Sequence, residues 1–134
     1  QPKAKETRAM ESFVAERLDR LEWLGKVRVE SICGVGGSIR AMGKICQEWN
    51  GMHCMPFDIS VIDRLLAIAK KKDGEFKKLL SLVPGRIHTI VPGAILLKGV
   101  MKKTGVSQIF TSKYGVREGY LIARILKEEA GCEH

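Results

Sequence analysis

The stretch Ser31–Ile45, SICGVGGSIRAMGKI, decides how this chain is read. A short apolar run meets Gly34, Gly36 and Gly37, then Ser38, and a helical pattern takes over. Such a turn brings backbone N–H groups close to an anion, because glycine lacks a Cβ and the first N–H groups of a helix have no intrahelical acceptor. A tight strand-to-helix turn that needs glycine for steric reasons alone has the same letters. The stretch by itself does not separate the two. It does fail two stricter patterns. A Walker A loop needs G-x-x-x-x-G-K-[ST], but Gly37 to Gly43 is one residue too long and Ile45 follows Lys44. The dinucleotide fingerprint G-x-G-x-x-G requires glycine where Ile39 stands.

Working outward, residues 26–33 (KVRVESIC) read as a strand into this turn, and residues 38–50 as the helix leaving it, with Ser38 or Gly37 as cap and Gly51 as stop. Upstream, Met10, Phe13, Val14, Leu18, Leu21 and Leu24 repeat at three/four spacing, which predicts one amphipathic helix over 5–24 ended by Gly25. Downstream, Asp58 caps a helix with Ile59, Ile62, Leu66 and Ala69 on one face, and its Lys70–Lys72 end suits a helix C-terminus. A shorter helix turns Phe76, Leu79, Leu80 and Val83 inward. Residues 86–105 are apolar on nearly every face and are therefore central, with Pro92 kinking the helix or starting a new segment. His88 and Thr89 read there as hydrogen-bonded core residues. VSQIFTS (106–112) is a second strand, and 116–131 a closing helix that buries Tyr120, Ala123 and Ile125 or Leu126.

This gives about six helices and two strands, each strand followed by a helix, so the strands pair in parallel. Parallel sheets are normally covered on both faces and rarely stop at two strands. The fold class is a helix-rich α/β arrangement, a partial module of something larger. An opening Gln1 in place of Met fits an excised piece, with residues 1–4 expected as a disordered tail.

At 134 residues, 45% hydrophobic and 28% charged, the chain suits one soluble globular domain. Its longest apolar run, IVPGAILLKGVM, is broken by Pro92, Gly93 and Lys98, so no membrane span is expected. No secretory signal opens the sequence. A net charge of +8 favours anionic partners, whereas an aromatic fraction of 6% argues against a stacking platform for single-stranded nucleic acid. Cys33, Cys46, Cys54 and Cys132 form no C-x-x-C pair and read as free thiols of a reducing cytoplasm. His53, beside Cys54, is given no chemistry. Trp23 and Trp49 read as packing residues.

GVGGSIRAM, RIHTIVPGAILL and TSKYGVREGYL occur in the order and spacing seen in the exopolyphosphatase / guanosine pentaphosphate phosphohydrolase (Ppx/GppA) family, and the chain resembles that family from about residue 5 onward. The resemblance implies the actin-like ATPase fold, two ribonuclease H-like domains around a cleft, of which this chain looks like the latter part of the second. It implies that Gly36, Gly37 and Ser38 line the cleft, with Arg40 nearby. It also implies a partner ligand, inorganic polyphosphate or a guanosine polyphosphate. The family's phosphate turns, D-x-G-S-[NT]-[ST] and D-I-G-G-G-S, do not occur in these 134 residues. The carboxylate that activates water belongs, by the resemblance, to the first domain. Phosphoanhydride hydrolysis needs that water, metal-assisted charge neutralisation and phosphate-cradling N–H groups. The expectation is therefore a divalent metal, magnesium, in a full-length parent and none here, no catalytic residue within the chain, and no activity from it alone.

Arg86, Lys113, Arg117 and Glu118 are the further candidates for polyanion contact. Arg117 and Glu118 follow a strand end, where open α/β sheets bind ligands, but a structural Arg–Glu pair fastening the last helix is the favoured reading. Two rival functions remain: a small basic nucleic-acid-binding domain, and an interaction module whose open sheet edge pairs with a second copy or with the missing N-terminal portion of its own chain.

Overall fold

A computed structural model describes residues 4–52, 54–112 and 114–132, the Cys132 side chain excepted. Elements run α1 (Ala4–Asp19), α2 (Glu22–Lys26), β1 (Ser31–Gly34), α3 (Gly37–Asn50), α4 (Ile59–Lys71), α5 (Gly74–Leu82), a 3₁₀ turn (Pro84–Arg86), α6 (Ile90–Thr104), β2 (Gln108–Thr111) and α7 (Val116–Cys132). None of these helices is long and apolar enough to cross a membrane.

The apolar run around Pro92 forms the hub, as its all-round hydrophobicity predicts. Helices α1, α2, α3 and α4 all pack on α6, whose Ile90 and Ala94 are fully buried. Pro92 is the third residue of α6 and kinks nothing, because a first-turn N–H has no intrahelical acceptor to lose. Asp58 caps α4, accepting from the Ser60 N–H at 2.9 Å. Asp73 does the same for α5 through the Glu75 and Phe76 N–H groups.

The strands do pair in parallel, Ile32 opposite Ile109 and Cys33 opposite Phe110. They are shorter than expected: Val29 is exposed and only Ser31–Gly34 finds a partner strand. The sheet is also covered on one face only. Ile109 is buried in the core, while Cys33 and Phe110 on the other face are exposed. Phe57 bridges to Ile109 in antiparallel sense and covers part of the outer edge of β2.

Three other expectations are corrected. The first helix is broken: the Leu21 N–H bonds back to the Leu18 carbonyl, α2 begins at Glu22, and Gly25 lies inside α2 instead of ending a helix. Leu18 and Leu24 would sit roughly 120° apart around one straight helix. The break lets both be buried. His88 and Thr89 are exposed, because they precede α6 and do not lie within it. The closing helix α7 buries none of its large apolar side chains: Val116, Tyr120, Leu121, Ile122, Ile125 and Leu126 are all more than half exposed. These side chains surround the helix on most of its sides, so no single face of the bundle satisfies them. The tail expected at 1–4 lies outside the described residues apart from Ala4, which opens α1.

Candidate anion-binding groove

The groove begins at the glycine turn. Gly36 has φ 120° and ψ 172°, a region open essentially to glycine alone, and it is the residue that caps α3. Ser38, expected as a possible cap, makes no capping bond. Its hydroxyl instead donates to Thr89 Oγ1 at 3.3 Å, tying the start of α3 to the residue before α6. Gly37 serves a different purpose: a Cβ there would meet the guanidinium of Arg86, so glycine leaves room for that side chain against α3. Arg86 comes from the 3₁₀ turn and lies across the first turn of α3, so the two sequence-predicted residues are brought together.

Arg40 and Lys44 stand one helical turn apart on α3, and with Gly37, Ala41, Leu82, Val83, Pro84, Gly85 and Arg86 they line a groove of about 310 Å³. Like charges at this spacing destabilise a helix by about 0.2–0.5 kcal/mol. None of the ion pairs among the described residues relieves them: those pairs join Arg20 to Glu16, Lys98 to Asp63, Lys103 to Asp19 and Arg124 to Glu128. Arg40, Lys44 and Arg86 thus gather near the N-terminal end of α3 with no salt bridge among the described residues, although the charge of Arg40 is felt at Glu118. One wall is cationic and the other is the chain from Leu82 to Gly85.

Glu118 sits at the third position of α7 and accepts from the Gly115 N–H at 2.8 Å, one half of a capping box. Hydrogen bonds from its own N–H and that of Gly115 hold its carboxyl below the usual value, helped by the positive charges of Arg40 and Arg117, while partial desolvation opposes them. The expected Arg–Glu fastening is not formed. Glu118 secures its own helix, and Arg117 is exposed with no ion pair among the described residues. Lys113 lies outside the described residues. Lys44 was not singled out from the sequence, although its place four residues after Arg40 was the signal that finds it.

No group of three or more His, Cys, Asp or Glu side chains among the described residues could hold a metal ion. Glu118, the carboxylate that feels the charge of Arg40, accepts from the Gly115 N–H. The residues here do not fit a magnesium site, and no chemical step is derived through one. Cys46 and Cys54 are buried between α3 and the loop after it, the Cys46 thiol donating to the Cys54 carbonyl at 3.7 Å. Burial, with the Cys54 side chain next, pushes the Cys46 thiol up to about 11, the opposite of a nucleophile.

Individually curated proteins give no match to the sequence. The Ppx/GppA phosphatase family matches it over residues 1–128. Nearly the whole chain is covered, and it belongs to the Ppx/GppA phosphatase family.

Proposed function

We propose that this chain supplies a basic wall of the phosphate cleft in a phosphohydrolase that cleaves terminal phosphoanhydride bonds of inorganic polyphosphate or guanosine pentaphosphate. The observation that carries the reading is the gathering of Arg40, Lys44 and Arg86, none of them in a salt bridge among the described residues, along the N-terminal half of α3. Gly36 and Gly37 shape the turn into that helix, and Glu118 feels the charge of Arg40 beside it. The role is binding and orientation: charge–charge contacts hold successive phosphates, and the groove fixes the direction of the chain. The water-activating carboxylate, the Asp-and-glycine turns and the divalent metal belong, on this reading, to the rest of the family's two-domain architecture in a cytoplasmic parent.

The test is phosphate release from polyphosphate with magnesium. The purified chain is expected to release none above a heat-killed control. Turnover by the chain alone would overturn the division of labour. A second reading, an interaction module, is favoured by one observation, the exposed apolar surface of α7. It predicts a dimer in size-exclusion chromatography at micromolar concentration, where the first reading requires none.

A further inference from the structure

A second cavity lies on α1, α4, α5 and α6 and shares no lining residue with the basic groove. Its volume is about 260 Å³, and Leu66, Ala69, Phe76, Ile87 and Val91 make its walls apolar. Interiors are packed closely enough that voids larger than a water are few. An apolar cavity of about 150 Å³ already takes up benzene. Filling this one needs only a slightly larger body.

The rim is not apolar. Lys70 and Lys72 line the same cavity, and neither is in an ion pair among the described residues. Lys72 has φ 52° and ψ 32°, a left-handed conformation that a helix C-terminus usually assigns to glycine. A lysine thus stands where glycine would be easier. Lys70 also lines an adjoining groove along the next turns of α1, with Lys98 and Lys102. Asp63 holds Lys98 at 2.7 Å, and Glu11 is the one acidic side chain lining that groove. An apolar pocket therefore opens at a cluster of lysines.

We propose that this cavity binds a small amphipathic anion, with a hydrocarbon body of about eight to ten carbons inside and a carboxylate or phosphate head at Lys70 and Lys72. The apolar walls exclude a bare anion, and the lysines favour a charged head over a neutral one. The site is separate from the polyanion groove and stands whether or not that groove binds phosphate.

Decanoate, octyl phosphate and the neutral 1-decanol are titrated into the full chain by calorimetry. Decanoate is expected to saturate a single site with a dissociation constant on the order of 100 µM, and decanol to bind roughly fivefold or more weakly. Octyl phosphate against decanoate distinguishes the two head groups. Ala69→Phe fills the cavity and should weaken decanoate roughly tenfold or more. Ala4→Trp, at the exposed mouth, provides the same test should Ala69→Phe fail to fold. Lys70→Gln with Lys72→Gly removes the head-group charges, relieves the left-handed residue, and should bring decanoate down to the affinity of decanol. The proposal is overturned by absence of saturable decanoate binding up to about 1 mM, ten times the constant expected. It is equally overturned by decanol binding as well as decanoate, or by affinity unchanged in the filled variants.

Discussion

The guanidinium of Arg86 occupies the space that a side chain on Gly37 would fill. The cation of a 3₁₀ turn is thereby seated on the first turn of α3, 49 residues away in sequence, and the glycine is what admits it.

This relationship separates the two central glycines by experiment. In Gly37→Ala the new methyl meets only the far end of a flexible, exposed side chain, so Arg86 swings aside and the fold survives. Affinity for tripolyphosphate should fall roughly threefold to tenfold, as for a displaced charge-assisted contact. Gly36→Ala instead forces alanine into a glycine-only conformation, and stability should drop by about 1–3 kcal/mol in a denaturant titration. An unchanged affinity in the first or an unchanged midpoint in the second contradicts the account.

Glu118 sets a pH dependence at the start of α7. Its folded value lies below the unfolded one, so its stabilisation is present above the unfolded value and is lost as pH falls through the folded value. Amide protection factors at the start of α7, corrected for the intrinsic pH dependence of exchange, should fall over that acidic window. Glu118→Gln should exchange faster at neutral pH and show little of the pH effect. An identical profile in both proteins would remove the cap from the account.

Cys46 acts at the other end of the scale. Its thiol titrates near 11 in the folded chain against an ordinary 9.0, so stability is complete below pH 9 and falls as pH rises toward 11, where the unfolded chain ionises first. The denaturation midpoint should decline across that window, and less steeply in Cys46→Ala. At neutral pH a thiol reagent should modify exposed Cys33 much faster than Cys46 or Cys54.

Removing α7 should cost the bundle little. Every described residue from Gly119 to Gly131 is exposed, so a chain ending at Gly115 should melt within a few degrees of the whole and be more soluble. A fall of more than about 10 °C would show that α7 stabilises the bundle.

Much of this was legible in the sequence, for identifiable reasons. Residues 86–105 announce a hub because nearly every face is apolar. The strands announce themselves by β-branched residues beside glycine, and their parallel pairing follows from the helices after them. The sequence does not reveal that α7 stays exposed, because an apolar pattern states that a helix needs a partner, not that this chain provides it. The break at Leu21 was hidden because a three/four spacing continues through it, and only the joint burial of Leu18 and Leu24 against α6 requires it. At the groove, Gly36, Gly37 and Arg40 were visible in one stretch. The meeting of Gly37 with Arg86 was not, since it depends on how α5 and its 3₁₀ turn fold back on α3. Lys44 shows the opposite failure: local spacing already placed it beside Arg40, and it passed as part of a failed phosphate-loop motif.

The central claim is that Arg40, Lys44 and Arg86 together bind a phosphate chain. Calorimetric titration of inorganic tripolyphosphate tests it directly, at low and at high salt, on the wild-type chain and on Arg40→Ala/Lys44→Ala/Arg86→Ala. The account predicts one saturable, salt-sensitive site that the triple variant, still folded by circular dichroism, loses by roughly tenfold or more. A control, Lys77→Ala/Lys78→Ala on exposed α5 positions outside the groove, should bind like the wild type. Wild-type affinity in the folded triple variant, or no saturable binding by the wild type, would contradict it.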